Sequence, residues 1–259
     1  MLTQHGTFHR YMKNLILHLV GPESLKGKLL RPMDEATSRH LRSWATLGSV
    51  NVKDAIEEMI FESFAKRLIS YEEKKDRKKL LDNYKAFMNG LISLPVNIPR
   101  NRFPCLCAVL LKPSHYLPSL FLIIPEVLEE LTVINETVRL ANIAPLIFRK
   151  VGKEAEMKVL VAPAVVHLNP EKYENPLEFN PWRWKEQDLH SGSKTFMAWG
   201  SGTRLCVGAD FAKLQIAIFI HHFVTKYRWS VTKGGDFIRR PSLIFPNGIH
   251  IKIAEKQKC

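Results

Sequence analysis

The residues best placed to do chemistry form one run, Phe196-Met197-Ala198-Trp199-Gly200-Ser201-Gly202-Thr203-Arg204-Leu205-Cys206-Val207-Gly208, which leads directly into a long apolar stretch. Gly200 and Gly202 admit positive-φ turns and close backbone approach, so the loop can wrap a bulky planar ligand and turn a cysteine sulfur out of the fold. A helix beginning after Gly208 would aim its unpaired N–H groups toward that sulfur. Such a helix favours thiolate over thiol and tunes a bound metal through hydrogen bonds around it. A phosphate-binding loop is excluded, because no Gly-Lys-Ser/Thr follows the glycines. The local signatures of cysteine proteases are also absent.

Two further runs precede this loop. Glu136-Thr137-Val138-Arg139 sits on an apolar-periodic segment predicted to be helical from Glu126 to Leu140. There Glu136 and Arg139, three residues apart, share a face and can pair. Taken alone, such a pair is most often an ordinary surface ion pair. The second run is Pro176-Leu177-Glu178-Phe179-Asn180-Pro181-Trp182-Arg183-Trp184.

In this order the three runs resemble the marks of the cytochrome P450 superfamily, the haem-thiolate monooxygenases. Trp199, Gly202, Arg204, Cys206 and Gly208 fill the five fixed positions of that family's aromatic-x-x-Gly-x-Arg-x-Cys-x-Gly loop. Trp199 stands for the usual phenylalanine, and Ser201 where relatives often carry a third glycine. The resemblance implies haem b as cofactor, with Cys206 as the axial iron ligand whose electron donation favours O–O cleavage, and Arg204 paired with a propionate. It places His9 and Lys13 at the ends of a run where relatives have a Trp-x-x-x-Arg helix that contacts a propionate. It also assigns Glu136, Arg139 and Arg183 to one buried triad that locks the loop approaching the haem, so the three should matter together.

Within the superfamily, Phe179 to Trp184 and the run Ala209-Asp210-Phe211-Ala212-Lys213-Leu214-Gln215 resemble the plant group acting on brassinosteroids, other sterol-like molecules and triterpenes. The implied reaction is hydroxylation of a small hydrophobic substrate with O₂ and electrons drawn from NADPH through a flavoprotein reductase. The implied location is the cytosolic face of the endoplasmic reticulum membrane, with the cytosol as the alternative for a chain without an anchor. Beyond the haem ligand no catalytic residue carries over, since the acid-Thr pair of the family's oxygen-activating helix has no matching motif. Two other readings stay open: a catalytically dead remnant, and a basic, non-enzymatic binding protein.

Composition narrows the partners. Lys and Arg number 38 against 25 for Asp and Glu, a net charge of +13 over 259 residues. Nucleic acid is not expected as a partner, because no nucleic-acid motif accompanies the charge. A membrane surface stays open as a partner. The four cysteines, Cys105, Cys107, Cys206 and Cys259, lack the spacing of a disulfide framework and fit a reducing compartment. No signal peptide is read at Met1, and the most apolar run, Phe103 to Val127, is broken by Lys112, Pro113, Pro118 and Pro125, so no transmembrane anchor is expected.

The elements that must position these residues are mostly helical. The expected fold is mainly α with small β elements, a single partial cytochrome P450 domain over 1–259. Its parts are N-terminal helices over 1–95, an aberrant segment over 96–125 and a haem-binding part over 126–259. Helices are predicted up to Gly21-Pro22, from near Met33 past Leu41, and after an N-cap at Asn51 with Ile56, Met59, Ile60, Phe64 and Leu68 on one face. The 96–125 segment is rich in proline and loses periodicity. It stands where relatives carry the oxygen-activating helix, and a frame change or mis-spliced exon is expected to have produced it. The hairpin that relatives place after the first motif is expected to be shortened or lost around Met157 to Pro163. After Cys206, an almost wholly apolar helix predicts a central buried element, with His221 and His222 at a solvent-facing end. The tail from Tyr227 to Ile253 reads as short strands around Gly234-Gly235 and Pro246-Asn247-Gly248.

Overall fold

The computed structural model describes residues 6–68, 77–92, 127–144, 146–150, 158–185, 195–240 and 242–257. The expectations for the 96–125 segment, Cys105, Cys107 and Cys259 lie outside these residues. The described chain is mainly helical with small antiparallel sheets, and it divides into two compact units, one of Met1–Glu35 and Phe121–Thr225, the other of Ala36–Leu120 and Lys226–Cys259.

The first unit opens with helix α1 (Gly6–Val20), which stops at Gly21. A Cβ on Gly21 would stand 2.3 Å from the Leu17 carbonyl oxygen, so only glycine lets its N–H close the last turn there, at 2.8 Å. Pro22 then begins the short helix α2 (Pro22–Ser24), where a missing N–H costs nothing. A π-helical turn over Leu25–Leu29 joins α2 to α3 (Leu30–Leu47). The second helical stretch therefore starts at Pro22 rather than near Met33, because proline at the first position initiates a helix as readily as it ends one.

Further along this unit come α6 (Val127–Ala141), the strands β2 (Ile147–Lys150) and β3 (Lys158–Val161), α7 (Pro163–His167) and α8 (Ala209–Lys226). The intervening elements β1 (Ser49–Asn51), α4 (Val52–Leu68) and α5 (Arg77–Ile92) belong to the second unit. Strands β2 and β3 pair antiparallel from Ile147↔Val161 to Lys150↔Lys158, so a short hairpin is kept where its loss was within expectation. Helix α8 buries Phe211, Ala217, Ile218 and Phe223, in line with a central element. His222 departs from its expected solvent-facing place. Its ring is buried and its Nε2 lies 2.6 Å from Asp34 Oδ1, while the adjacent His221 stays exposed. One residue is 100° of helix, enough to send neighbouring histidines to opposite environments.

In the second unit Gly48, at φ 71°, terminates α3 by donating its N–H to the Trp44 carbonyl at 3.0 Å. Asn51 precedes α4 as expected, but its amide reaches Asp54 at 2.6 Å and accepts the Ile249 N–H at 3.3 Å instead of simply closing the helix. Phe61 and Ala65 of α4 pack with Leu81 of α5 in a buried cluster, and Glu62 of α4 holds Arg39 and His40 of α3. The tail forms β4 (Tyr227–Gly234), β5 (Ile238–Arg240), β6 (Ser242–Ile244) and β7 (Ile249–Glu255). Strands β1, β7 and β4 make one antiparallel sheet with β7 central, burying Tyr227, Ile251 and Ile253. Gly234, at φ 77°, is required at its turn, since a Cβ would meet the Gly248 carbonyl oxygen at 2.2 Å.

Candidate functional site

Glu136 and Arg139 face inward from the last turns of α6, and both are fully buried. The Arg139 guanidinium grips the Glu136 carboxylate by two parallel hydrogen bonds, Nε to Oε2 at 2.8 Å and Nη2 to Oε1 at 2.7 Å. This fork geometry gives direction as well as energy. Arg183, on a 3₁₀ turn over Pro181–Trp184, adds its Nε to Oε1 at 3.1 Å. The Asn180 N–H reaches Oε1 at 3.1 Å and the Trp184 indole N–H reaches Oε2 at 2.9 Å. The structure thus brings Glu136, Arg139 and Arg183 together around one carboxylate, with two donors that the motif did not announce.

The spare donors of Arg139 extend the lock. Its Nη1 gives hydrogen bonds to the carbonyls of His167 at 2.6 Å and Pro176 at 2.8 Å, while Arg183 Nη1 reaches the Glu174 carbonyl at 3.1 Å. The Tyr173 ring lies 4.9 Å from the Arg139 guanidinium carbon and 5.8 Å from that of Arg183, so its π-face shares the surplus positive charge. The Tyr173 hydroxyl donates to the Thr195 carbonyl at 2.8 Å, and burial pushes its phenol up, keeping it a neutral donor. Trp184 stacks edge-on against Phe196 at 4.9 Å. Residues on both sides of the undescribed stretch 186–194 are thereby tied to the same charged centre.

The loop from Phe196 to Gly208 is built on two positive-φ glycines, Gly200 at 81° and Gly202 at 64°. The Gly200 N–H bonds to the Met197 carbonyl at 2.9 Å, and the Cys206 N–H returns to the Trp199 carbonyl at 2.8 Å, closing the loop on itself. A Cβ at Gly200 would press the Arg204 carbonyl oxygen at 3.3 Å. Cys206 is a free thiol and exposed, three residues before α8. Arg204 and Trp199 are half-buried, and the Trp199 indole nitrogen is buried without a hydrogen-bond partner. Gly208 accepts the Ala212 N–H at 2.9 Å at the start of α8. From α1, Lys13 extends its ammonium to the Thr203 carbonyl at 3.4 Å, beside Arg204; His9 stands one turn away on the same helix, half-buried.

His167, the last residue of α7, carries a role that the sequence did not single out. It is fully buried, its Nδ1 lies 2.8 Å from Asn142 Oδ1, and its Nε2 accepts the Met197 N–H at 2.9 Å. Burial, with the Arg139 charge next to it, pushes its pKa down to about 4. The ring is neutral at ordinary pH. A signal was available in the sequence, since a histidine between apolar Val166 and Leu168 must find partners if it is buried.

A thiol is held out of a glycine loop at a helix start, beside a buried carboxylate-guanidinium lock, and it stands open to a ligand. The profile of the family described as Cytochrome P450 matches residues 131–251, which span the lock, the loop, α8 and much of the terminal sheet. Cytochrome P450 87A3 of Oryza sativa subsp. japonica is 35% identical, the match taking in 97% of this chain and 69% of that protein. Cucurbitadienol 11-hydroxylase of Siraitia grosvenorii is 26% identical over 97% of the chain and 74% of its own length. Other matches include a beta-amyrin 16-alpha-hydroxylase of Maesa lanceolata and a steroid (22S)-hydroxylase of Oryza sativa subsp. indica. Among solved structures, the retinoic-acid-bound cyanobacterial CYP120A1 shares the fold with a TM-score of 0.73 at 16% identity, over 98% of this chain and 80% of that one. The chain belongs to the cytochrome P450 family, whose members are haem-containing monooxygenases. Its fold is incomplete by that measure: the match to the rice protein runs over 353 aligned positions although the chain has 259 residues, so interior stretches of the relative have no counterpart here.

Two outcomes follow from the lock. Glu136→Gln should cost about 3–5 kcal/mol, because it leaves two buried guanidinium groups without a counter-charge, and Arg183→Ala should cost less, because the Glu136–Arg139 pair that remains is balanced in charge. The double variant should be no worse than the more damaging single one, and additivity in urea unfolding would show that the two act separately. His167 gives a pH dependence whose sign is fixed by its lowered pKa. Above pH 6.5 both folded and unfolded rings are neutral and the full contribution is present; as pH falls from 6.5 toward about 4 only the unfolded ring takes up a proton, and stability drops. The loss should approach about 3 kcal/mol by pH 4. Urea midpoints measured from pH 7 to 4.5 should fall less steeply in His167→Gln, and parallel curves for the two proteins would contradict this.

Proposed function

We propose that this chain is a haem-thiolate protein of the sterol- and triterpene-oxidising plant P450s, with Cys206 as its iron ligand and with impaired monooxygenase activity. The observation that carries this reading is the exposed Cys206 thiol, presented by a self-closed glycine loop at the start of α8. The residues fit haem b. The unpartnered Trp199 indole N–H and Arg204 belong to that loop, Lys13 reaches its Thr203 carbonyl, and these groups suit the negative propionates, with His9 on the Lys13 face of α1. Gly202 and Gly208 carry no side chain at points where the loop must lie close to a flat ligand.

When bound, the haem supplies the capacity to insert one oxygen atom from O₂ into an unactivated C–H bond. The chain's own part is to hold the thiolate in place, keep water from it and orient a hydrophobic substrate. A sterol-like or triterpenoid substrate is favoured by the plant hydroxylases among the relatives. Electrons would come from NADPH through a flavoprotein reductase. The cytosolic face of the endoplasmic reticulum membrane is the proposed site of action; among the described residues no helix is long and apolar enough to cross a membrane. The impairment follows from the interior stretches that relatives have and this chain lacks. Proton delivery to oxygen needs a positioned relay, and no acid-Thr motif of the family kind occurs in the sequence.

Cys206→Ser should abolish thiolate-ligated haem, since a neutral hydroxyl is a poor substitute for thiolate. The ferrous-CO spectrum of the purified, haem-loaded chain checks it, and an unchanged Soret band would remove Cys206 as ligand. In a reconstituted assay with reductase and a panel of sterols and triterpenes, product per NADPH should be low, with electron flow lost to peroxide. Tight coupling on any substrate in the panel would overturn the impairment.

A further inference from the structure

His167 joins three parts of the first unit through three different atoms. Its carbonyl accepts from Arg139, its Nδ1 meets the side chain of Asn142, and its Nε2 meets the backbone N–H of Met197. Asn142 is the residue just past α6 and sits in the left-handed region at φ 44°, a conformation asparagine tolerates at a helix end. Met197 begins the loop that ends in Cys206, and its carbonyl accepts the Gly200 N–H that forms the first turn.

The chemistry of these partners fixes the tautomer. A backbone N–H can only donate, so Nε2 must present its lone pair to Met197. In a neutral ring the proton then resides on Nδ1, which donates to the Asn142 carbonyl oxygen at 2.8 Å. The imidazole is therefore a two-ended strut, accepting at one nitrogen and donating at the other. Phe196, packed 5.8 Å from the His167 ring and 4.9 Å from Trp184, holds the loop entry from the side.

We infer that His167 is a positioning residue of the cysteine loop, carrying the register of the Glu136–Arg139 lock and the α6 end to Met197, and thereby to Cys206. It touches neither the thiol nor a ligand site. Fixing Met197 fixes the turn to Gly200, and the Trp199 carbonyl on that turn receives the Cys206 N–H at 2.8 Å. The significance of the strut for thiolate ligation rests on the proposed function. Its existence does not, and the tests below need no haem.

In the full chain, His167→Leu should raise amide hydrogen exchange at Met197, Gly200 and Cys206 about tenfold to a hundredfold, as expected when a buried donor loses its acceptor. Amides in the middle of α8, such as Ile218, should be unaffected. His167→Gln should bring the loop amides back to within about threefold of the parent, because its amide oxygen can accept from Met197 while its NH₂ donates to Asn142. Exchange that rises equally in both variants, rises in neither, or rises equally at Ile218 would overturn the inference. If His167→Leu does not fold, the parent chain decides through ¹⁵N–¹H correlation of the ring: a protonated Nδ1 with a bare Nε2 supports the strut, and a protonated Nε2 refutes it. Loss of haem ligation in Cys206→Ser bears only on the proposed function, and loop exchange in the His167 variants bears only on the strut.

Discussion

The fold around the site depends on one buried carboxylate. Glu136 is wholly removed from water, where an unpaired charge would be costly, and it persists there because five donors converge on its two oxygens. Three of these donors belong to the guanidinium groups of two arginines, so the centre carries a net positive charge. That surplus explains the acceptors around it: four backbone carbonyls, those of His167, Glu174, Pro176 and Glu178, take further N–H groups, the buried Arg183 Nη2 is left without a hydrogen-bond partner, and the Tyr173 ring lies against both arginines. Irregular backbone between α7 and the 3₁₀ turn gains its conformation from this centre. Chain without regular hydrogen bonds of its own must satisfy its carbonyls somewhere.

Much of this centre was legible in the sequence through the family resemblance, since spacing alone gives only a pair and leaves its burial and its third member open. Glu136 and Arg139 are one helical turn apart, and Arg183 lies in a run whose prolines and aromatics mark a turn. The side chains that complete the centre were less legible. Trp184 is an aromatic in the motif, but nothing local reveals that its indole N–H will face Glu136, 48 residues earlier in the chain. His167 is harder still, since its three partners lie 25 to 30 residues away in both directions and a lone histidine in an apolar run is compatible with many burials.

The differences in the fold have the same origin. Pro22 reads as a stop, yet it sits at the first position of a helix, where its lack of an N–H is harmless and its fixed φ is already helical. His222 reads as a solvent-facing helix end, but Asp34, 188 residues away, draws it inward. The β2–β3 hairpin was expected to be shortened or lost, and its four residues a side are the shortened form. By contrast, the terminal strands were plain, because glycines with positive φ punctuate them at Gly234, Gly235 and Gly248.

The placement of Cys206 and the handling of oxygen would make different demands on the chain. Every hydrogen bond traced above from Glu136 to the Cys206 backbone joins residues between Glu136 and Cys206. This is a compact stretch inside the region that the family profile matches. A thiol loop braced this locally does not depend on elements far away in the chain, so it can survive the loss of interior stretches. Substrate enclosure and proton delivery have no such local basis. They need walls and relays contributed by several helices, and a chain that keeps the brace while lacking those stretches should retain a ligand site more readily than a turnover site.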